Sequence, residues 1–175
     1  MFLLKDDTKI LLDSDVIRHL IKGDKLSLLH KLFGDHLVLL KVVYDELFRS
    51  TQIQPIIENF IKFNNLKIIE FPSDNLEILK EYANLKKRFG DGESACMAVA
   101  KFQNNIIASS NLKDIKDYCI QNKIVYLTTM DILLEAVDTQ LLSEDNCNHV
   151  IQTIKAKNSK LPVNTIAEYR QLINN

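Results

Sequence analysis

The sequence predicts a three-layer α/β fold, with a mostly parallel sheet of four to five strands covered by helices on both faces. Short apolar runs alternate along the chain with segments of helical period, and this alternation is typical of right-handed strand–helix–strand units. The runs are apolar at successive positions, as expected for strands that are buried on both faces. The 175 residues, 46% of them hydrophobic, are enough for one domain with its own core.

Turn and capping residues set the predicted elements in the first half of the chain. Ser14 and Asp15 can begin a helix directly after the first apolar run, and Gly23 can end it. Asp24 is predicted to cap the next helix, and Pro55 suits the first turn of a later one. The predicted elements are a strand at 9–12, helices at 14–22 and 24–32, a strand at 37–40, helices at 42–48 and 55–63, and a strand at 66–70.

The second half of the chain continues the alternation and ends in helices. Pro72 begins the longest predicted helix, which ends at Gly90. Asp91 and Asn164 are predicted to cap later helices. The residues of the longest helix predicted to face inward are Leu76, Leu79, Ala83 and Leu85. The other predicted elements are a helix at 93–103, a strand at 106–108, a helix from 111, a strand at 124–127, and helices from 128, 143 and 164.

The formal net charge of −1 argues against a protein that coats nucleic acid non-specifically, because such proteins carry a large basic excess. It does not exclude a nuclease, since a carboxylate cluster offsets lysine and arginine in the total. Cys96, Cys119 and Cys147 show no paired or metal-binding spacing, so reduced thiols and a cytoplasmic location are expected. Charged residues at 5–7 interrupt the apolar start, so neither a signal peptide nor a membrane span is predicted.

Three carboxylates lie where predicted strands end or predicted helices begin. Asp13 closes the apolar run at 10–12, Glu46 lies near the start of a helix, and Glu93 opens another helix. Parallel strands bring their carboxyl ends to one edge of the sheet, where ligands bind. Carboxylates gathered in one cleft repel each other unless cations lie between them. The pattern therefore predicts a divalent-metal site and metal-assisted phosphodiester hydrolysis.

Four stretches taken together resemble the PIN-domain family, over about residues 9–136. They are the apolar strand with Asp13-Ser14-Asp15, Val-Val-Tyr-Asp-Glu-Leu around Glu46, Gly-Asp-Gly-Glu-Ser-Ala around Glu93, and Ile-Ile-Ala-Ser-Ser-Asn at 106–111. The resemblance implies the Rossmann-like three-layer fold of that family. It also implies that Asp13, Glu46 and Glu93 are both catalytic residues and metal ligands.

The fourth acid of that family, usually an aspartate after the next strand, has no acidic counterpart in this chain. Its position falls at Ser110 or Asn111. The Asn111 carbonyl or the Ser110 hydroxyl can still ligate a hard cation or hold a metal-bound water. Asn111 is therefore a catalytic candidate. Asp114 lies one helical turn beyond Ser110 and could supply the missing charge, so it is a candidate metal ligand. The residues predicted to support the site are Ser14, Asp15, Asp91 and Ser110.

The resemblance further implies an endoribonuclease that depends on Mg²⁺ or Mn²⁺. Many small relatives are toxins of toxin–antitoxin pairs and form homodimers, so the implied partners are RNA, an antitoxin and a second copy of the chain. By the same resemblance, residues 1–140 form the nuclease domain and residues 141–175 a C-terminal helical extension of it. The residues predicted to contact RNA phosphates are Lys86, Lys87, Arg88 and Lys113.

Two other interpretations remain open at this point. Without a fourth acid, the chain could be a catalytically degenerate PIN fold that binds RNA or a protein. Asp13-Ser14-Asp15 and Gly90-Asp91-Gly92 also resemble motifs of haloacid-dehalogenase phosphatases, in which the first aspartate attacks phosphate. Ile17 and Ala95 depart from that second pattern, and no cap domain fits between the motifs. Stabilisation by a metal ion would distinguish an intact metal site from a degenerate one.

Overall fold

A computed structural model describes residues 7–174, apart from the side chains of Leu112 and Asp114. Its core is a sheet of five strands in the order β3-β2-β1-β4-β5, and every adjacent pair is parallel. The predicted α/β fold class is therefore confirmed. The strands are β1 (Ile10–Leu12), β2 (Leu37–Leu40), β3 (Lys67–Ile69), β4 (Ile106–Ala108) and β5 (Tyr126–Leu127).

Helices connect the strands and cover both faces of the sheet, as parallel connections require. The first three are α1 (Ser14–Lys22), α2 (Ser27–Phe33) and α3 (Lys41–Phe48). The next four are α4 (Gln54–Asn64), α5 (Leu76–Leu85), α6 (Asp91–Gln103) and α7 (Leu112–Asn122). The last three are α8 (Thr129–Asp138), α9 (Glu144–Ala156) and α10 (Ile166–Asn174).

The strand order reverses at β1, and this reversal positions the site. The chain moves outward from β1 to β2 and β3, and then returns to place β4 on the other side of β1. Leu12 pairs with Ala108, so β1 and β4 end at the same level. The backbone N–H of Asp13 continues the ladder and donates to Ala108 O at 2.9 Å. A crevice at such a reversal is the usual ligand site of an open α/β sheet.

The centre of the sheet is fully buried, and α6 is the helix most deeply enclosed beside it. All three residues of β1 have no exposed surface. Residues 92–100 of α6 are buried in succession, and they include only small or unbranched side chains apart from Val99. Small side chains let α6 pack closely against α3, α5 and the sheet. This packing places the first turn of α6 at the edge of the sheet where the strands have their carboxyl ends.

The predicted inward face of α5 was wrong for three of its four residues, and only Leu85 is buried as predicted. The helix begins at Leu76 with Asn75 as its cap, and Leu76 and Leu79 are 67% and 37% exposed. Ala83 is exposed too, whereas Ile78 is fully buried. The first turn of α5 contains three apolar residues within four positions, so spacing alone does not select the inward one.

Three predicted caps also differ from the structure. Asp24 has a φ of 54° in the turn after α1, and α2 begins three residues later. Gly90 occupies the cap position of α6, and Asp91 is the first residue inside that helix. Before α10, the Thr165 hydroxyl rather than the Asn164 side chain accepts a hydrogen bond from Glu168 N–H, at 3.1 Å. β5 is shorter than predicted and contains only Tyr126 and Leu127.

The two C-terminal helices pack on the body of the fold. α9 lies against α1, and α10 lies against α8. Tyr169 of α10 donates its hydroxyl hydrogen to Asp131 Oδ1 at 2.7 Å, and Asp131 completes the capping box of α8 with Thr128. The division at residue 140 into a nuclease domain and an extension stays a prediction.

The described residues also bear on the thiols and on membrane crossing. Cys96, Cys119 and Cys147 are all buried and have free thiols. Within residues 7–174, no helix combines the length and the apolar character needed to cross a bilayer. The cytoplasmic location stays a prediction.

Candidate active site

Asp13 lies at the carboxyl end of the central strand and is only 5% exposed. It occupies the cap position of α1, where its Oδ1 accepts from Ser14 N–H at 2.7 Å. Its second oxygen accepts from the Ser109 hydroxyl at 2.9 Å. Both oxygens of a buried carboxylate are thus held in fixed directions by neighbours at the ends of β1 and β4.

Asp15 extends across the gap between β1 and β4. Its Oδ1 accepts from Val16 N–H at 2.6 Å, and its Oδ2 accepts from Ser110 N–H at 2.8 Å. The Ser109 hydroxyl lies 3.4 Å from the same Oδ2, so this one hydroxyl is close to both aspartates. The carboxylate of Asp15 therefore rests against the end of β4, where the family resemblance predicts an acid that the sequence lacks.

Glu46 approaches the same edge from α3. Its Oε1 accepts from the Ser14 hydroxyl at 2.7 Å. Its Oε2 lies against Gly92 of α6, so close that a Cβ placed on that glycine would be 2.8 Å away. The glycine thus leaves room for the Glu46 carboxylate between α3 and α6.

Glu93 stands in the first turn of α6 and is 8% exposed. A carboxylate there is favoured by the helix dipole. Cys96, one turn further along α6, is buried beside the end of β1, with its thiol 4.0 Å from Leu12 O. Burial raises the pKa of its thiol well above the ordinary value, and the charges of Asp13, Asp15, Glu93 and Glu46 raise it further. All four carboxylates act electrostatically on this one buried thiol.

The crowding changes the acidity of the two aspartates. Burial raises the pKa of Asp13 from 3.8 to about 7, and the charges of Asp15 and Glu46 add to the rise. Hydrogen bonds from Ser14 and Ser109 oppose it. Burial likewise raises the pKa of Asp15 to about 6, against the hydrogen bonds from Ser110, Val16, Ser109 and Asn111. Carboxylates destabilised in this way would be stabilised by a cation.

The oxygen atoms at this edge of the sheet match the donors that a divalent cation prefers. Oxygen donors from carboxylates and hydroxyls suit a hard ion such as Mg²⁺ or Mn²⁺. As the described side chains stand, no three His, Cys, Asp or Glu residues form a group that could hold a metal ion. The residues therefore fit such an ion in charge and donor type, and binding would require side-chain adjustment.

The remaining predicted site residues are placed differently. The backbone N–H of Asn111, just before α7, donates to the Ser109 hydroxyl at 3.3 Å. A hydrogen bond from the Asn111 backbone to Asp15 also lowers the pKa of Asp15. The side chain of Asp114 lies outside the described part of the chain, so its proposed metal contact stays a prediction. Asp91 is exposed and forms an ion pair with Lys86 at 3.0 Å.

The other predicted basic residues gather in one polar groove. Lys87 and Arg88 follow α5, and Lys113 lies at the start of α7. All three line a cavity of about 550 Å³ together with Tyr118 and Phe89. The structure thus joins the two basic segments that were predicted separately, while Lys86 is engaged with Asp91.

Two residues with a place in the site were missed by the sequence analysis. Ser109 was not selected, although it follows a strand directly and the strand-end rule could have found it. Thr129 was not selected either, and its hydroxyl lies 2.6 Å from the Ser110 hydroxyl and 3.0 Å from Nδ1 of His19. These contacts join three distant segments, so no local sequence signal predicts them.

Adding one methyl group at Gly92 is expected to disturb the site more than the fold. In Gly92→Ala, the new Cβ would be 2.8 Å from Glu46 Oε2 and 3.1 Å from Val43 Cγ2, so the flexible Glu46 side chain must move. We expect Mn²⁺ affinity to fall about tenfold or more, in the range seen when the support of a metal ligand is lost. Calorimetric titration measures the change. Gly90→Ala is the control because its Cβ meets nothing within 4 Å, and equal affinities in the two variants would contradict the expectation.

The fold and the site together define an α/β protein whose all-parallel sheet has four acids at its switch point, the place where the strand order reverses. The chain belongs to the PIN-domain family, because the family model DUF3368, described as a PIN domain, matches residues 9–175. This membership confirms the resemblance and removes support for the phosphatase interpretation. PIN domains are generally nucleases that use divalent metal ions.

Solved structures of the same fold include two described as VapBC. DNA-bound VapBC from Salmonella typhimurium matches with a TM-score of 0.55 and 13% identity, over 70% of this chain and 98% of that one. VapBC-1 from nontypeable Haemophilus influenzae matches with a TM-score of 0.51 and 21% identity, over the same shares of the two chains. No curated protein matches the chain.

Proposed function

We propose that this protein is a metal-dependent endoribonuclease that hydrolyses RNA phosphodiesters with Mg²⁺ or Mn²⁺. The observation that carries the proposal is the placement of four acids where the strand order reverses. The Ser109 hydroxyl lies within hydrogen-bond distance of Asp13 and Asp15, the Ser14 hydroxyl donates to Glu46, and Glu93 lies in the first turn of α6. Membership of the PIN-domain family supports the nuclease class. Four acids in one crevice repel each other when they are charged, and a bound cation would offset this repulsion.

In this proposal, Asp13, Glu46 and Glu93 hold the cation. Asp15 stands in for the missing fourth acid, because Ser110 N–H holds its carboxylate against the end of β4. A bound divalent cation would lower the pKa of a water and stabilise charge developing on the phosphate. Ser14 contributes by fixing the direction of Glu46 through its hydroxyl, so substitution at Ser14 would act through that carboxylate.

RNA binding is assigned to the groove lined by Lys87, Arg88 and Lys113. Their side chains are exposed and can contact phosphates, which fix the position of a strand without reading its sequence. Tyr118 in the same groove offers a ring on which an unpaired base can stack. The net charge of −1 is compatible with this assignment because the site carboxylates offset lysine and arginine in the total.

The likeness to two VapBC structures supports a further proposal, namely that this chain is the toxin of a toxin–antitoxin pair. Its partners would then be an antitoxin protein and a second copy of the chain, and it would act in the cytoplasm. Three buried free thiols are compatible with a reducing compartment.

A second candidate function is a degenerate PIN fold that binds RNA or a protein without cleaving. Two observations favour it, namely the absence of an acid directly after β4 and the lack of a ready three-ligand group among the described residues. Asp15 weighs against it, because its carboxylate lies at the place of the missing acid.

Metal titration with an RNA cleavage assay tests the proposed function. We expect the wild type to bind Mn²⁺ in a calorimeter and to cleave a total RNA pool, with cleavage stopped by EDTA. Glu93→Gln should lose both properties, because it removes the charge of a proposed ligand. Glu77→Gln is the matched control, since Glu77 is an exposed glutamate in the first turn of α5. A wild type that binds no Mn²⁺ and cleaves no RNA would establish the degenerate alternative.

A further inference from the structure

A cavity of about 350 Å³ lies beside the carboxylates, between the end of β5, the start of α8 and the C-terminal segment. Its size falls at the lower end of the range for small-molecule pockets. Leu172 of α10 lines it while being 54% exposed, so part of the apolar wall is open to solvent. The proposed catalytic roles make no use of this cavity.

The lining combines flat aromatic surface with a few fixed polar groups. Tyr126 and Tyr169 supply the rings, and Met130 and Leu172 add apolar surface. The Tyr169 hydroxyl donates to Asp131 Oδ1 at 2.7 Å, so the polar atoms are held in place. A nucleobase has the complementary character, since its faces are apolar and its edge carries donors and acceptors.

Ser110 connects the cavity to the acidic site. It lines the cavity, and its backbone N–H donates to Asp15 at 2.8 Å. Its hydroxyl accepts from Thr129 N–H at 2.8 Å, which fixes the wall between the two spaces. A nucleotide whose phosphate lies at the carboxylates would therefore have this cavity beside it. Lys160, which is exposed at the rim, can contact a neighbouring phosphate.

We propose that this cavity is a nucleobase subsite, which takes one unpaired base of the RNA next to the phosphate that is cleaved. The proposal rests on the proposed ribonuclease function and deepens it, because it assigns a place to one base beside the cleaved phosphate. A purely apolar side chain from a protein partner fits less well, since it would bury the partly exposed Asp131 carboxylate without offering it a hydrogen-bond donor.

Binding of short oligonucleotides with and without bases tests the subsite. The probes are fluorescent 2′-O-methyl decamers of adenosine or uridine, and an abasic decamer with the same phosphates, all with Mn²⁺ present. Because base stacking on aromatic rings contributes strongly, we expect the wild type to bind the base-bearing decamers at least about tenfold more tightly. Tyr126→Leu, which removes a ring, should reduce this ratio several-fold, and Tyr126→Phe should preserve it.

Leu172→Ser provides a second variant in case Tyr126→Leu does not fold, because Leu172 is more than half exposed. It should reduce the same ratio. An unchanged ratio in folded pocket variants that still cleave RNA would overturn the subsite, leave the ribonuclease intact and point to a protein side chain as the occupant. A wild type that neither binds the decamers nor cleaves RNA would overturn both proposals.

Discussion

Asp13→Asn is expected to reduce RNA cleavage about 10³-fold or more and to remove Mn²⁺ binding. Asparagine has nearly the same shape and can still accept the hydrogen bond from Ser14 N–H that caps α1. The fold should therefore persist while a proposed ligand loses its charge. Loss of several kcal/mol of transition-state stabilisation corresponds to this change in rate. Single-turnover cleavage and calorimetric titration with Mn²⁺ measure the two effects.

The matched control for this substitution is Asp24→Asn. Asp24 is exposed and has a positive φ of 54°, a conformation that asparagine accepts readily. It should keep the activity and the Mn²⁺ affinity of the wild type. If Asp13→Asn cleaved RNA as fast as this control does, the assignment of the carboxylate site would be wrong.

The second large effect is expected in the pH dependence of stability without metal. The folded-state pKa is about 7 for Asp13 and about 6 for Asp15, against an ordinary value of 3.8. Between about pH 4 and pH 7 the folded protein therefore keeps protons that the unfolded chain has released. The free energy of unfolding should fall as the pH rises through this window, by about a few kcal/mol for the interacting pair of aspartates together.

Urea unfolding in EDTA at several pH values measures this dependence. Below pH 4 both aspartates are protonated in the folded and the unfolded state. Their contribution to stability is therefore fully present there, and it is lost as the pH approaches 7. In Asp13→Asn the corresponding part of the decline should disappear, because the amide does not titrate. Adding Mn²⁺ at pH 8 should restore stability to the wild type by linkage. A wild-type curve that rises from pH 4 to pH 7 relative to the variant would contradict the assigned shift.

The centre of the sheet was predictable from the sequence because β1, β2 and β4 are uniformly apolar. Parallel strands covered on both faces leave no polar position, so the runs at 9–12 and 37–40 stood out without any periodicity. The inward face of α5 could not be predicted, because Leu76, Ile78 and Leu79 lie within one turn. Which of these residues is buried depends on how α5 packs against α6, and local spacing does not show that packing.

Three of the four acids of the candidate site were predictable because the sheet is parallel. The convergence of Asp13, Glu46 and Glu93 follows from the rule that parallel strands end at one edge. The placement of Asp15 does not follow from that rule, since it depends on which way its side chain rotates. Only the structure reveals that the Ser109 hydroxyl and Ser110 N–H draw this carboxylate towards β4.

The position of Asp15 has a consequence for how such sites are recognised. An acid that follows one strand in the chain lies in space at the end of the neighbouring strand, where a serine follows instead. A pattern that demands an acid at each fixed place along the chain would count this protein as lacking one. In parallel-sheet proteins, the acids of a site are better identified by their position in space than by their order along the chain. An acid that follows one strand can occupy the place of an acid missing after the adjacent strand, and the total charge of the crevice stays the same.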